Sequence, residues 1–265
     1  MSILFPDAGR LSVLGRKSAV ESKDRIGYLP EERGVYRKMK VGAFLAHMAG
    51  LKGVTSGVSK KIDDWLDKVD LGDVKKKRCD ELSKGMQQKI QFISSVIHEP
   101  ELLILDEPFS GLDPINQDVL EEIVRDFHSK GTTILFSTHL MHQAEQLCER
   151  VCLISKSKKV LDADLRELKT AERKGIVAVE FEGPDHWIRG PEIDRVEEAD
   201  DGLRLILRDG ADHQPILHRG VEAGARFLKF DLVEPRLHEI FIRHAGADAV
   251  GDAGMPTGVE MGAGR

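Results

Sequence analysis

The chain has 265 residues, 41% of them hydrophobic and 32% charged, with a formal net charge of -6. These proportions suit a globular protein of one or two domains, and the mildly acidic balance argues against a nucleic-acid or anionic-membrane surface. No apolar run approaches the roughly 20 residues that cross a bilayer. The opening MSILFPDAGR also lacks the basic start and long apolar core of a signal peptide, so a soluble, intracellular protein is expected. Lys75, Lys76, Lys77 and Arg78 form a basic run short enough to be a solvated loop. Cys79, Cys148 and Cys152 fit a reducing cytosol better than a disulfide framework, and the last two, with no further ligand nearby, read as packed thiols.

In chain order, residues 9–30 hold short strand-like pieces punctuated by glycines. A helical region follows over about 41–70, with Phe44, Leu45, Met48, Ile62, Trp65, Leu66 and Val69 at helix spacing and GLKGVTSG as an internal turn. The next helix spans about 83–98. Its apolar stripe is Met86, Ile90, Ile93 and Ile97, and Pro100 stops it. The run 102–105 is apolar on both faces, as a central parallel strand should be. A helix over 114–129 leads to a second apolar strand at 133–136, which makes a right-handed crossover unit. A helix over 140–149 and a strand at 151–154 complete the predicted α/β part.

From about 172 the texture changes to strands of a mostly antiparallel α+β appendage at 176–181, 203–207 and 226–232, closed by a helix over 237–244. The Gly-rich tail after Gly246 reads as disorder.

Chemistry concentrates between residues 82 and 139. Asp106 and Glu107 directly follow the first apolar strand, where open α/β sheets gather ligands. One carboxylate there can hold Mg²⁺ through water while its neighbour orients an attacking water. The bland alternative is two charges that begin a loop. Ser83 is a good helix N-cap, and a helix N-terminus also suits a phosphate; Gly85 leaves the backbone open to a ligand. His139 sits just past the second strand, where it can bond a phosphate or be merely structural.

LSKGMQQ, LLILDEP, SGLD and STH occur in that order at characteristic intervals. Together they resemble the ATP-binding-cassette (ABC) ATPases over about residues 3–245. The resemblance implies an α/β fold: a P-loop NTPase domain with a helical subdomain, here truncated, over 1–165 (helical and signature region about 40–98). A small C-terminal α+β appendage over 172–245 and a tail over 246–265 follow.

It also implies ATP and Mg²⁺ as cofactors. Ser83, Gly85 and Gln87 would contact a nucleotide held mainly by the opposite subunit, and Asp106 would be the magnesium-associated carboxylate. Glu107 would be the catalytic glutamate, Asp113 would communicate between two sites, and His139 would be the switch residue. Glu31, in IGYLPEERGVY, stands where the family places a glutamine near Mg²⁺. The partners implied are a transmembrane permease and a second ATPase subunit, in a homo- or heterodimer, with no nucleic acid. The location implied is cytoplasmic, on the inner face of the cell membrane. YLPEERG with VEPRLHEIFI resembles the branch of sodium and drug exporters.

One family element is missing. None of the 25 glycines is followed by lysine, so the phosphate loop G-x-x-x-x-G-K-[ST] is absent. MSILFPDAGRLSVLG resembles the segment that follows that loop in the family, so the chain is expected to begin inside a longer gene. Charge-assisted hydrogen bonds contribute about 1.5–3 kcal/mol each. Losing four removes about 6 kcal/mol, or roughly four orders of magnitude in affinity. The chain by itself is therefore expected neither to bind ATP tightly nor to turn it over, and its sheet should bare apolar surface. A second reading makes it a non-hydrolysing partner that supplies the signature motif in trans. A soluble ABC protein of translation or DNA repair is disfavoured, because neither a second cassette nor a long coiled-coil insertion is present.

Overall fold

The computed structural model describes residues 7–17, 20–32, 34–172, 175–199 and 202–245. The tail predicted to be disordered lies outside them.

Three parallel strands, β1 (Ile26–Leu29), β2 (Leu102–Asp106) and β3 (Thr133–Ser137), form a sheet in that order. The register pairs Leu29 with Leu105, and Asp106 with Ser137, so the carboxyl ends of β2 and β3 are level. The region 41–70 folds as two helices, α1 (Val41–Leu51) and α2 (Val58–Lys68), split at the predicted turn. Helix α3 (Lys84–Val96) is unusual in being buried nearly all round, including Gln88, Lys89 and Gln91. Each of these polar side chains finds a backbone carbonyl, which is what makes the burial tolerable. Helix α4 (Pro114–Ser129) has Asp113 as N-cap and proline in its first turn, and crosses from β2 to β3.

The chain divides into two compact units, Met1–His139 and Leu140–Arg265. The second opens with α5 (Met141–Leu147) and an antiparallel hairpin of β4 (Arg150–Ser155) and β5 (Lys158–Asp164). The sequence predicts that the strand at 151–154 completes the α/β part. Instead β4 pairs with β5 alone among the described residues, burying Val151 and Leu153 and exposing Ile154, the alternation of a half-buried hairpin strand. Helices α6 (Leu165–Ala171) and α8 (Leu237–Ala245) pack with it around Leu165, Leu168, Leu237 and Ile240.

The rest of this unit is an antiparallel sheet of β6 (Ile176–Glu182), β7 (Ile193–Ala199), β8 (Gly202–Leu207) and β9 (Arg226–Leu232), in the order β7-β8-β6-β9. Helix α7 (Gln214–Glu222) connects β8 to β9. A βαββαβ pattern results, with its first crossover reduced to the 3-10 turn His186–Ile188. That turn drives Trp187 into the core against Phe181 and Phe227. The sequence does not announce β5, β7, α6 and α7, which are all short, and the first three are rich in charge.

Candidate functional site

The site is built at the carboxyl ends of β2 and β3. Asp106 ends β2, and its Oδ1 accepts a hydrogen bond from the Ser137 hydroxyl at 2.5 Å. Glu107 follows with φ +45°, in the left-handed region that a residue with a side chain adopts only at a cost. Its backbone N–H donates to the Ser137 carbonyl at 3.1 Å, tying the turn to β3. This conformation aims the side chain at His139. Glu107 Oε1 accepts the His139 backbone N–H at 2.8 Å and lies 2.7 Å from its Nδ1, while Thr138 Oγ1 donates to Oε2 at 3.5 Å. The glutamate side chain is 15% exposed and the histidine 70%, so the pair has a half-buried anchor and a solvent-facing ring.

Asp106, Glu107 and His139 are thus brought together, and Ser137 and Thr138 join them. Sequence reading quoted those two hydroxyls within STH but assigned them no role; their place between a strand and the histidine was the available signal. Among the described residues no cluster of three or more His, Cys, Asp or Glu side chains could hold a metal by itself. One carboxylate with waters and phosphate oxygens is nevertheless a usual Mg²⁺ environment, so Asp106 fits the ion only when a nucleotide supplies the remaining ligands.

Ser83, Gly85 and Gln87 belong to a second group at the start of α3. Ser83 Oγ accepts the Met86 N–H at 3.3 Å; this cap uses a lone pair and leaves the hydroxyl proton for an outside acceptor. A Cβ built on Gly85 would meet Leu112 Cδ2 at an ordinary 3.6 Å, and its φ is not in the positive range. Neither packing nor backbone conformation therefore requires glycine there. Gln87 differs: its Nε2 donates to the Cys79 and Leu82 carbonyls at 3.0 Å each, holding the preceding turn.

Asp113 caps α4 through the backbone N–H of Asn116 at 3.0 Å, and the Asn116 amide donates to its other oxygen. Those bonds hold its carboxyl below the usual carboxylate range. Glu31 is exposed on the rim of an open depression of about 430 Å³ shared with Glu32, Val35, Arg37, Gln87, Gln88 and Ser110. The depression joins the Glu31 loop to α3. Gln91 Nε2 donates to the carbonyls of Pro30 and Glu32 at 3.3 and 3.1 Å, and Gln88 Nε2 to that of Pro108 at 3.2 Å. Both glutamines escaped sequence reading, although polar residues three apart on a helix otherwise rich in apolar positions were a visible anomaly.

Comparison with known proteins identifies the family. The ABC transporter family matches residues 2–110, and the C-terminal domain of DrrA1-3-like ATP-binding proteins matches residues 164–245. The first match contains Glu31, Ser83, Gly85, Gln87, Asp106 and Glu107 and stops before Asp113 and His139. The ABC transporter ATP-binding protein YhaQ of Bacillus subtilis is 42% identical over 250 residues, covering 93% of this chain and 83% of that protein. Nod factor export ATP-binding protein I of Burkholderia pseudomallei is 28% identical over 254 residues, covering 94% and 82%. Among solved structures, an ATP-binding subunit of an ABC transporter is 25% identical with a TM-score of 0.60, covering 64% of this chain and 72% of that one. No helix among the described residues is long and apolar enough to cross a membrane. The chain belongs to the ATP-binding proteins of ABC transporters.

Proposed function

We propose that the chain works in export, coupling ATP binding and hydrolysis on a dimer of ATP-binding subunits to a separate membrane permease. In this reading Glu107 orients the attacking water, His139 contacts the γ-phosphate and Asp106 holds Mg²⁺ through water. Bound ATP and Mg²⁺ would supply phosphate oxygens and charge neutralisation there. The observation that carries the reading is the Glu107–His139 pair, held at 2.7 Å beside the Asp106–Ser137 bond. The Nod factor export relative supports the direction of transport.

The 265 residues contain no G-x-x-x-x-G-K-[ST] sequence, so a complete nucleotide site needs a phosphate loop from another segment. A second reading follows from the unspent hydroxyl proton of Ser83: the chain offers only its α3 N-terminus to a nucleotide bound by an intact partner subunit.

Phosphate release separates the two when the chain is coexpressed with an intact ABC ATP-binding subunit. Loss of the added turnover with Glu107→Gln assigns the chemistry to this chain. Loss with Gly85→Asp alone leaves it the in-trans role. No release above that of the partner by itself would contradict both readings.

A further inference from the structure

The antiparallel sheet of the second unit ends in β7 on one side and β9 on the other, and neither pairs further among the described residues. An open edge accepts another strand unless its charges forbid it. The register across β9 fixes which of its backbone groups face outward. The Val233 N–H donates to the Ile176 carbonyl at 2.8 Å, and Asp231 and Lys229 stand opposite Ala178 and Glu180. Residues that bond across an antiparallel pair alternate along the strand. Lys229, Asp231 and Val233 therefore turn their backbone groups toward β6, while Phe230 and Leu232 turn theirs to the outer edge. The side chains of Phe230 and Leu232 pack on the core cluster that contains Val179, Trp187 and Leu205. Alternation puts Lys229 and Asp231 on the other face of the sheet, and Asp231 is exposed there.

A second copy of the same strand can lie antiparallel against this edge about a two-fold axis through one residue, and the side chains select which. Centring on Lys229 opposes two lysines, and centring on Asp231 opposes two aspartates. Centring on Leu228 or Leu232 leaves Lys229 opposite Phe227 or Pro235. Centring on Phe230 sets Lys229 opposite Asp231 on both sides of the axis, and the 53% exposed Leu228 opposite Leu232. Phe230 is also an outward-facing position, so the two central residues can exchange both backbone hydrogen bonds. One register thus satisfies the backbone and the charges together. β7 has none: along Asp194, Arg195, Val196, Glu197 and Glu198, every two-fold centre sets at least one pair of like charges opposite.

We propose that β9 pairs with β9 of a second copy of this chain, antiparallel and centred on Phe230, joining the two four-stranded sheets into one. The contact lies within the second unit, needs no nucleotide and does not rest on the export reading.

The test is sedimentation of the full chain at low salt, without nucleotide, from micromolar to submillimolar concentration. A concentration-dependent dimer is expected. Lys229→Asp sets aspartates opposite each other at both symmetric positions, and Asp231→Lys sets lysines there. Each should weaken the dimer at least about tenfold while the far-ultraviolet circular dichroism stays unchanged. Mixing the two variants restores opposite charges at both positions, so a heterodimer of near wild-type affinity is expected. A monomeric wild-type chain, a dimer indifferent to either substitution, or a mixture that stays dissociated would each overturn the proposal. If a variant fails to fold, residue-resolved hydrogen exchange of the wild-type chain decides. The Phe230 and Leu232 amides must slow as concentration rises, and exchange that is independent of concentration counts against the pairing. Because no phosphate release is measured, this contact can fail while the catalytic reading stands, and the converse holds too.

Discussion

Glu107 and His139 are joined twice, through the histidine's backbone N–H at 2.8 Å and its ring Nδ1 at 2.7 Å, both to the same carboxylate oxygen. The second oxygen accepts a long 3.5 Å contact from the Thr138 hydroxyl. In a complex with a complete nucleotide site, Glu107→Gln should keep the donor geometry on one side but remove the base. Phosphate release should fall about 10²–10⁴-fold, while nucleotide binding, read by equilibrium dialysis, should change little.

Gly27→Ala should destabilise the first unit. The added methyl meets the Ser95 carbonyl oxygen at 2.2 Å and Leu103 Cδ1 at 2.8 Å. One obstacle is backbone and cannot rotate away, so α3 must shift. A loss of about 3 kcal/mol is expected, with the unfolding midpoint falling by roughly 10 °C; calorimetry of the purified variant checks it.

Gly220→Ala sets two effects against each other in the second unit. Alanine gains about 1 kcal/mol of helix propensity over glycine within α7. Its Cβ, however, would lie 2.4 Å from Phe227 Cζ, in a ring held between Phe181, Trp187 and Phe230. The ring has nowhere to turn, so packing wins and a net loss of about 1–2 kcal/mol is expected. The two tryptophans, Trp65 and Trp187, lie in different units. Trp187 fluorescence should therefore report the change, and a Trp187→Phe background should silence it.

Stability of the first unit should fall on acidification through His98. Burial pulls its pKa from 6.5 down to about 4, aided by the Lys52 and Lys61 charges and opposed by its bond to the Ile26 carbonyl and by Asp24. Above about pH 6.5 the ring is neutral both folded and unfolded, and its titration contributes nothing. Between 6.5 and 4 the unfolded chain takes up a proton that the folded one refuses, so stability declines and then levels off. Allowing for its part-exposure, the effect is on the order of 1–2 kcal/mol. His98→Gln should flatten that limb in urea titrations at pH 7 and pH 5, and an unchanged slope would contradict it.

The α/β crossover was legible because β2 and β3 are short apolar runs and α4 has a full amphipathic stripe with Asp113 and Pro114 at its start. The carboxylates and histidine were legible for the same reason, since position at a strand end is a sequence property. The Glu107–His139 bond was not, because it depends on a positive φ at Glu107 that no local pattern announces. The pairing of β4 with β5 was hidden too. An apolar run of four to six residues does not say whether its neighbour is parallel or antiparallel, and β5, with four charged residues in KKVLDAD, gave no strand signal.

Helix α3 reaches one loop through Gln88 and another through Gln91, and Ser83 caps its N-terminus. A rigid rod tied at several points has few independent motions. Sliding it by a fraction of its pitch to meet a phosphate at Ser83 would stretch bonds to Pro30 and Pro108 together. Occupancy at one end of α3 and the posture of two loops elsewhere are then a single mechanical variable, and substitutions at Gln88 and Gln91 should be non-additive in any assay of that variable.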